Sequence, residues 1–143
     1  MSDSFPGPHL DGKLRVTVHD AKELASKDLG KMDPFVTLAI IGEKHKTKTH
    51  ERGGKNPRWE QSILFNLKNC DIKEVLHIQV FNEDLLSNDK VGRADIPLRL
   101  FFEVTDRWFQ IVDFENFKKI AGYIRMTFEY TASDGRVWTS GGI

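Results

Sequence analysis

Apolar and polar side chains alternate in short runs along most of this chain. Leu14, Val16 and Val18 alternate with Arg15, Thr17 and His19, and Ile63, Phe65 and Leu67 repeat the pattern. So do Leu76, Ile78 and Val80 against His77 and Gln79, and Ile124, Met126 and Phe128 near the end. Successive side chains of a strand point to opposite faces, so a period of two marks a strand with one buried face. The pattern predicts strands over 13–19, Phe35–Ile41, 43–51, Trp59–Leu67, Val75–Val80, Val91–Leu98, Arg107–Val112 and Gly122–Tyr130. Gly42 and the RGGKNPR stretch from Arg52 to Arg58 are turn material. Lys68–Glu74 reads as a polar loop or short helical turn, and 99–106 has no clear period. Eight short strands without a long helix predict an all-β fold, an eight-stranded antiparallel β-sandwich of Greek-key type. Residues 1–12, with two prolines and two glycines, are expected to form a flexible lead-in, 13–130 the sandwich, and 131–143 a tail whose Val137 and Trp138 could pack back.

At 143 residues the chain has the size of one domain. Lys plus Arg equal Asp plus Glu at 21 each, so net charge makes no case for a nucleic-acid partner, and any electrostatic partner must be recognised by local clusters. Cys70 is the only cysteine, which excludes an intrachain disulfide. The first residues have neither the basic nor the apolar segment of a secretory signal, and no run is long and apolar enough to span a bilayer. The expectation is a cytoplasmic protein, with peripheral association to membranes left open. No Walker loop, HExxH or GxSxG occurs, and the histidines and Cys70 are not in zinc-ligand spacing. No enzyme and no catalytic residue is expected.

Two acidic loops carry the candidate chemistry. Phe81–Gly92, FNEDLLSNDKVG, leaves a strand. If the parity of that strand persists, Asn82 and Asp84 project to one side, with Asp89 adding a third oxygen from the far side of the loop. Clustered oxygens suit a hard cation such as calcium. In the second loop, 21–32, Asp28 and Asp33 stand at the two edges. Pro34 restrains Asp33 to extended backbone, placing its carboxylate at a rigid strand entrance. Were the two loops at the same end of the sandwich, their carboxylates would meet. Lys44, Lys46 and Lys48 form one cationic strand face, suited either to edge protection or to anionic phospholipid. Leu29, Met32, Leu85 and Leu86 lie in or beside the acidic loops, where they either enter a bilayer interface or pack beneath the loops. Trp59 and Trp108 are expected in the core.

These residues resemble the C2 domain, the phospholipid-binding module of conventional protein kinase C and synaptotagmins, over roughly residues 13–130. The carriers are Leu24 followed by Asp28, then Gly30-Lys31-Met32-Asp33-Pro34-Phe35-Val36, Asn56-Pro57-Arg58-Trp59, and Val80-Phe81-Asn82-Glu83-Asp84 running to Asp89 and Gly92. The resemblance implies calcium-ligating roles for Asp28, Asp33, Asp84 and Asp89. Asn82 departs from the pattern, since calcium-binding members usually have aspartate there, and Asp28 and Asp33 are one residue closer than is common. Strand order looks like the phospholipase-type circular permutation. The implied function is Ca2+-dependent binding to an anionic phospholipid membrane. The alternative is a calcium-independent adaptor that holds a protein partner on the sandwich surface.

Overall fold

The computed structural model describes residues 6–25, 31–84, 89–103 and 108–139. Among these the chain runs β1 (His9–Lys22), β2 (Pro34–Ile40), β3 (Glu43–Lys46), β4 (Arg58–Asp71), β5 (Val75–Asn82), β6 (Asp89–Pro97), a short helix α1 (Leu100–Glu103), β7 (Trp108–Val112), β8 (Ile120–Ala132) and β9 (Val137–Thr139). Strands pair in the order β3-β2-β5-β6-β7-β8-β1-β4, with β9 added to β8 and every pairing antiparallel. Between β6 and β7 the described ladder narrows to a single pair, Arg93 opposite Val112. The path folds there, so that β3-β2-β5-β6 and β7-β8-β1-β4 form the two layers of the expected antiparallel β-sandwich. At the other edge β3 and β4 meet through side chains. The Asn66 N–H donates to Glu43 Oε1 at 3.1 Å, and the His45 ring stands edge-on to Phe65 at 5.0 Å.

The inward positions of the alternating runs fill the core. Leu14, Val16, Val18, Leu38, Phe65, Leu76, Ile78, Val80, Ile111 and Ile124 are all fully buried. Removing such apolar surface from water is the main term holding the layers together.

The expected strands are all present, with shifted ends. β1 begins at His9, inside the predicted lead-in, because Tyr130 anchors it: the buried Tyr130 hydroxyl donates to the Asp11 carbonyl at 3.0 Å and accepts the Asp11 N–H at 2.9 Å. Leu10 is fully buried opposite Cys70, so β4 continues to Asp71 where a loop is predicted. Burial pushes both the Tyr130 phenol and the Cys70 thiol up from their usual values. β3 stops at Lys46 because Thr47 turns inward, its Oγ1 accepting the Val36 N–H at 3.0 Å in place of a ladder bond. β9 forms from the predicted tail, and Trp138 packs on Tyr130 at 5.6 Å. Of the two tryptophans expected in the core, Trp59 packs against it half-buried, whereas Trp108 lies under Lys22, whose Nζ is 4.3 Å from the ring.

On the outer face of β1, β4 and β8, His19 bridges Glu60 at 2.6 Å and Thr127 at 2.9 Å, while Arg125 pairs with Asp20 at 2.7 Å. The His19 hydrogen bond, with help from Arg58, holds the Glu60 carboxyl below the usual range.

Gly92, the last residue of the acidic stretch Phe81–Gly92, lies inside β6 opposite Val80, next to a bulge. A side chain there would press on the Ile111 side chain, Ala121 Cβ and the Val112 carbonyl. Glycine is therefore required by the close passage of β7 and β8. Gly92→Ala is expected to destabilise the domain by about 1–3 kcal/mol, read as a lower midpoint in denaturant unfolding. An unchanged midpoint would mean that the layers separate there at no cost.

Candidate metal and lipid site

One end of the sandwich gathers the connections β1–β2 (23–33), β3–β4 (47–57), β5–β6 (83–88) and β7–β8 (113–119). The registers fix this: Pro34 and Asp89 both lie opposite Asn82, Lys22 lies opposite Tyr123, and Arg58 lies opposite Asp20. The two acidic loops of the sequence therefore do share an end.

Asp33 is held from three directions. Its N–H donates to Asn82 Oδ1 at 2.8 Å, and its carbonyl accepts the Glu83 N–H at 2.9 Å, continuing the β2–β5 ladder past the strand ends. Its carboxylate Oδ1 accepts the Arg52 N–H at 2.6 Å from the β3–β4 loop. That loop is tied down further: Gly54 N–H to the Met32 carbonyl at 3.0 Å, His50 N–H to the Pro34 carbonyl at 2.9 Å, Trp59 Nε1–H to the same carbonyl at 3.1 Å, and Thr49 Oγ1–H to Glu83 Oε1 at 2.7 Å. The extended conformation that Pro34 imposes leaves Asp33 able to make all these bonds at once.

Asn82 closes β5 and is only 8% exposed. The sequence places it with Asp84 as an oxygen donor on one side of the loop. In the structure Asn82 is buried, with its Oδ1 on the Asp33 backbone, whereas Asp84 is exposed. Its first role is to orient Asp33. Asp89 is exposed at the start of β6, directly opposite Asn82. Asp28, Leu29, Leu85 and Leu86 lie outside the described residues. Met32, considered above as an apolar residue for a bilayer interface, is 3% exposed and belongs to the core cluster with Leu24, so it packs beneath the loop instead. Its burial gives the segment before Asp33 a hydrophobic footing.

The donors at this end are oxygens, the kind a hard cation takes, and they come from two separate loops. Among the described residues, however, no group of three or more acidic, His or Cys side chains is close enough to hold a metal. Asp33, Asp84 and Asp89 thus share an end of the fold without forming a closed cage.

The lysine face is where the sequence places it. Lys44, Lys46 and Lys48 are all exposed, the first two opposite Ala39 and Thr37 of β2. Beside them runs an aromatic row that the sequence reading does not single out. Lys46 Nζ lies 4.9 Å from the Phe35 ring centroid, Phe35 stacks on Phe81 at 5.4 Å, Phe81 meets Phe114 at 5.9 Å, and Lys90 Nζ stands 5.4 Å over Phe114. The row links the cationic edge strand to the acidic loop, since Phe81 and Lys90 are opposite each other one residue below Asn82 and Asp89.

A model of the C2 domain matches residues 12–111. The chain belongs to the C2 domain family. A C2 domain-containing protein from a putative elicitor-responsive gene superposes with a TM-score of 0.71 at 28% identity, over 89% of this chain and 92% of that one. The paired C2 domains of extended synaptotagmin 2, calcium bound, superpose with a TM-score of 0.71 at 22% identity, over 88% of this chain and 48% of that one. In sequence, Protein C2-DOMAIN ABA-RELATED 3 of Arabidopsis thaliana is 33% identical over 96 residues, 66% of this chain and 55% of the relative. This C2 chain spans between 17% and 57% of the length of three Arabidopsis thaliana relatives it matches.

The residues that sequence reasoning misses here are those of the β3–β4 loop, Thr49 and Arg52, and the acidic Glu83 that Thr49 holds. The Arg52–Arg58 run marks a turn, and nothing in it announces that the Arg52 amide caps Asp33.

Because Asn82 carries the Asp33 N–H, Asn82→Ala leaves a part-buried donor unpaired and is expected to cost about 1–3 kcal/mol. Asn82→Asp keeps the acceptor and is expected to cost less. Denaturant unfolding of the two variants in chelator checks the order; equal loss in both would remove the hydrogen bond from the account.

Proposed function

We propose that this domain is a non-enzymatic membrane-targeting module: it takes up calcium through Asp33, Asp84, Asp89 and Asp28 and then docks on anionic phospholipid. The observation that carries this reading is the hydrogen-bonded junction of Asp33 with Asn82 and Glu83, which brings both acidic loops to one end of a C2 fold beside an exposed cationic face. Calcium would supply a bridge between protein carboxylates and lipid phosphates, with oxygens from both sides completing its shell. Asp33 is already placed by its hydrogen bonds, and Asp84 and Asp89 would hold the ion with it. The same fold holds calcium in extended synaptotagmin 2, which supports the reading at the level of the fold. No helix among the described residues is long and apolar enough to cross a membrane, so the docking proposed is peripheral.

Lys44, Lys46 and Lys48 contribute on the order of 1 kcal/mol each near an anionic surface, and the Phe35–Phe81–Phe114 row stiffens the face that carries Lys46 and Lys90. A calcium-independent adaptor is the second reading, favoured by the engagement of Asn82 Oδ1 within the protein.

The deciding experiment is co-sedimentation with phosphatidylserine-containing vesicles and with phosphatidylcholine vesicles, in calcium and in chelator. Binding is expected only with calcium and anionic lipid, and Asp84→Asn is expected to weaken it at least tenfold with an unchanged thermal midpoint in chelator, since Asp84 is exposed. Equal binding in chelator would establish the adaptor reading in its place.

The lysine face has its own test. Lys44→Gln, Lys46→Gln and Lys48→Gln together are expected to weaken anionic-vesicle binding and flatten its dependence on salt. A salt response identical to the unaltered chain would leave these lysines as protection of the β3 edge alone.

A further inference from the structure

Of the large apolar side chains exposed among the described residues, Ile41 and Val137 lie at the end remote from the acidic loops, and Leu64 lies along β4. The remaining two, Phe117 on the β7–β8 connection and Ile120 at the first position of β8, are 69% and 49% exposed and bracket Lys118 and Lys119. Single exposed apolar residues are ordinary. A pair flanking two cations on one connection calls for a different account.

Position supplies it. The connection rises from β7 past the level of Phe81 and Lys90, because Phe114 packs between them, and returns beside the β1–β2 loop, where the Ala25 N–H donates to the Ala121 carbonyl at 2.9 Å. It therefore stands at the same end as Asp33, Asp84 and Asp89. Its shape is set internally. Asp113 Oδ2 accepts the N–H groups of Glu115 and Asn116 at 3.0 and 3.1 Å, and Asn116 accepts from Lys119 N–H at its carbonyl and from Lys118 N–H at its Oδ1. The Asp113 N–H closes the loop on the Lys119 carbonyl at 2.9 Å. This network holds the turn in a fixed shape with Phe117 directed outward.

We infer that the β7–β8 connection is a further membrane-contact element, in which Phe117 and Ile120 enter the interfacial layer of an anionic bilayer while Lys118 and Lys119 pair with lipid phosphates. The inference rests on the membrane reading above and adds to it a fourth loop that supplies no calcium ligand and strengthens docking once calcium has brought this end to the surface. An apolar tip flanked by lysines matches an anionic interface in both of its components. A second copy of the chain fits less well, because two side chains fall far short of the roughly 800 Å² per partner of a stable protein interface.

The test uses the whole chain and phosphatidylcholine vesicles with and without phosphatidylserine. Phe117→Ser combined with Ile120→Ser is expected to weaken partitioning onto anionic vesicles roughly tenfold with an unchanged thermal midpoint, and Lys118→Gln with Lys119→Gln to weaken it less and reduce its salt dependence. Phe117→Trp is expected to be quenched by acyl-brominated phosphatidylcholine beyond the quenching of the unaltered chain. If the unaltered chain binds vesicles and these variants bind equally, without added quenching, the inference fails while the membrane reading stands. If the unaltered chain binds no vesicle, both fail. A change in sedimentation mass without lipid, in place of any change in vesicle binding, would also overturn it, in favour of self-association.

Discussion

The β2–β5 ladder does not stop where its strands stop. Asn82 extends it through a side chain and Glu83 through a backbone amide, both onto Asp33, so that two loops distant in sequence are locked at one level. A strand pair ends by default in frayed, solvated backbone, and here the fraying residues are converted into a fixed platform. The Asp33 carboxylate, the Arg52 amide that caps it and the Thr49–Glu83 bond all stand on that platform. Met32 anchors it from below by burial in the core.

Electrostatics at this end follow from the same constraint. Glu83, Asp84 and Asp89 are brought to the same end as Asp33 by strand register, and like charges gathered at one end are offset by neutral donors or a cation. Backbone amides and Thr49 supply part of that compensation within the protein, at Asp33 and Glu83. Asp84 and Asp89, both exposed, remain at the lip, which is where a cation shared with a phosphate surface would have to sit. An asparagine in place of aspartate at position 82 lowers the charge of the site and at the same time provides the carbonyl that holds Asp33. Beside the lip, Lys90 stands over Phe114 and Lys118 and Lys119 are exposed on the β7–β8 connection, whereas Lys44 lies towards the far end of β3. The whole chain is electrically neutral by count, so the membrane docking proposed above rests on where its charges are placed.

What the strands are was legible because a sandwich strand must alternate to bury one face, and β1, β4, β5 and β8 do so over several residues, while β2 is nearly continuous in its burial. What the boundaries are was less so. β1 starts early because Tyr130, 119 residues away, takes both backbone groups of Asp11, and β3 ends early because Thr47 replaces a ladder bond with its hydroxyl. Gly92 gives no local sign of why it is glycine, because its cause is the close passage of Ile111 and Ala121. Local composition carries no trace of such partners.

The acidic residues of the site were legible individually, as oxygens flanking strand ends, and so was the cationic face, since Lys44, Lys46 and Lys48 repeat at the strand period. By itself the sequence determined the sandwich, its alternation and the chemical type of each loop, because these depend on neighbours within a few residues. Only the tertiary structure decided that Asn82 faces Asp33 instead of standing beside Asp84, that Met32 is core, that the Phe35–Phe81–Phe114 row underlies the lysines, and that Phe117 shares an end with the acidic loops. Each of those depends on register between strands far apart in the chain, and register is fixed by the packing of the whole core.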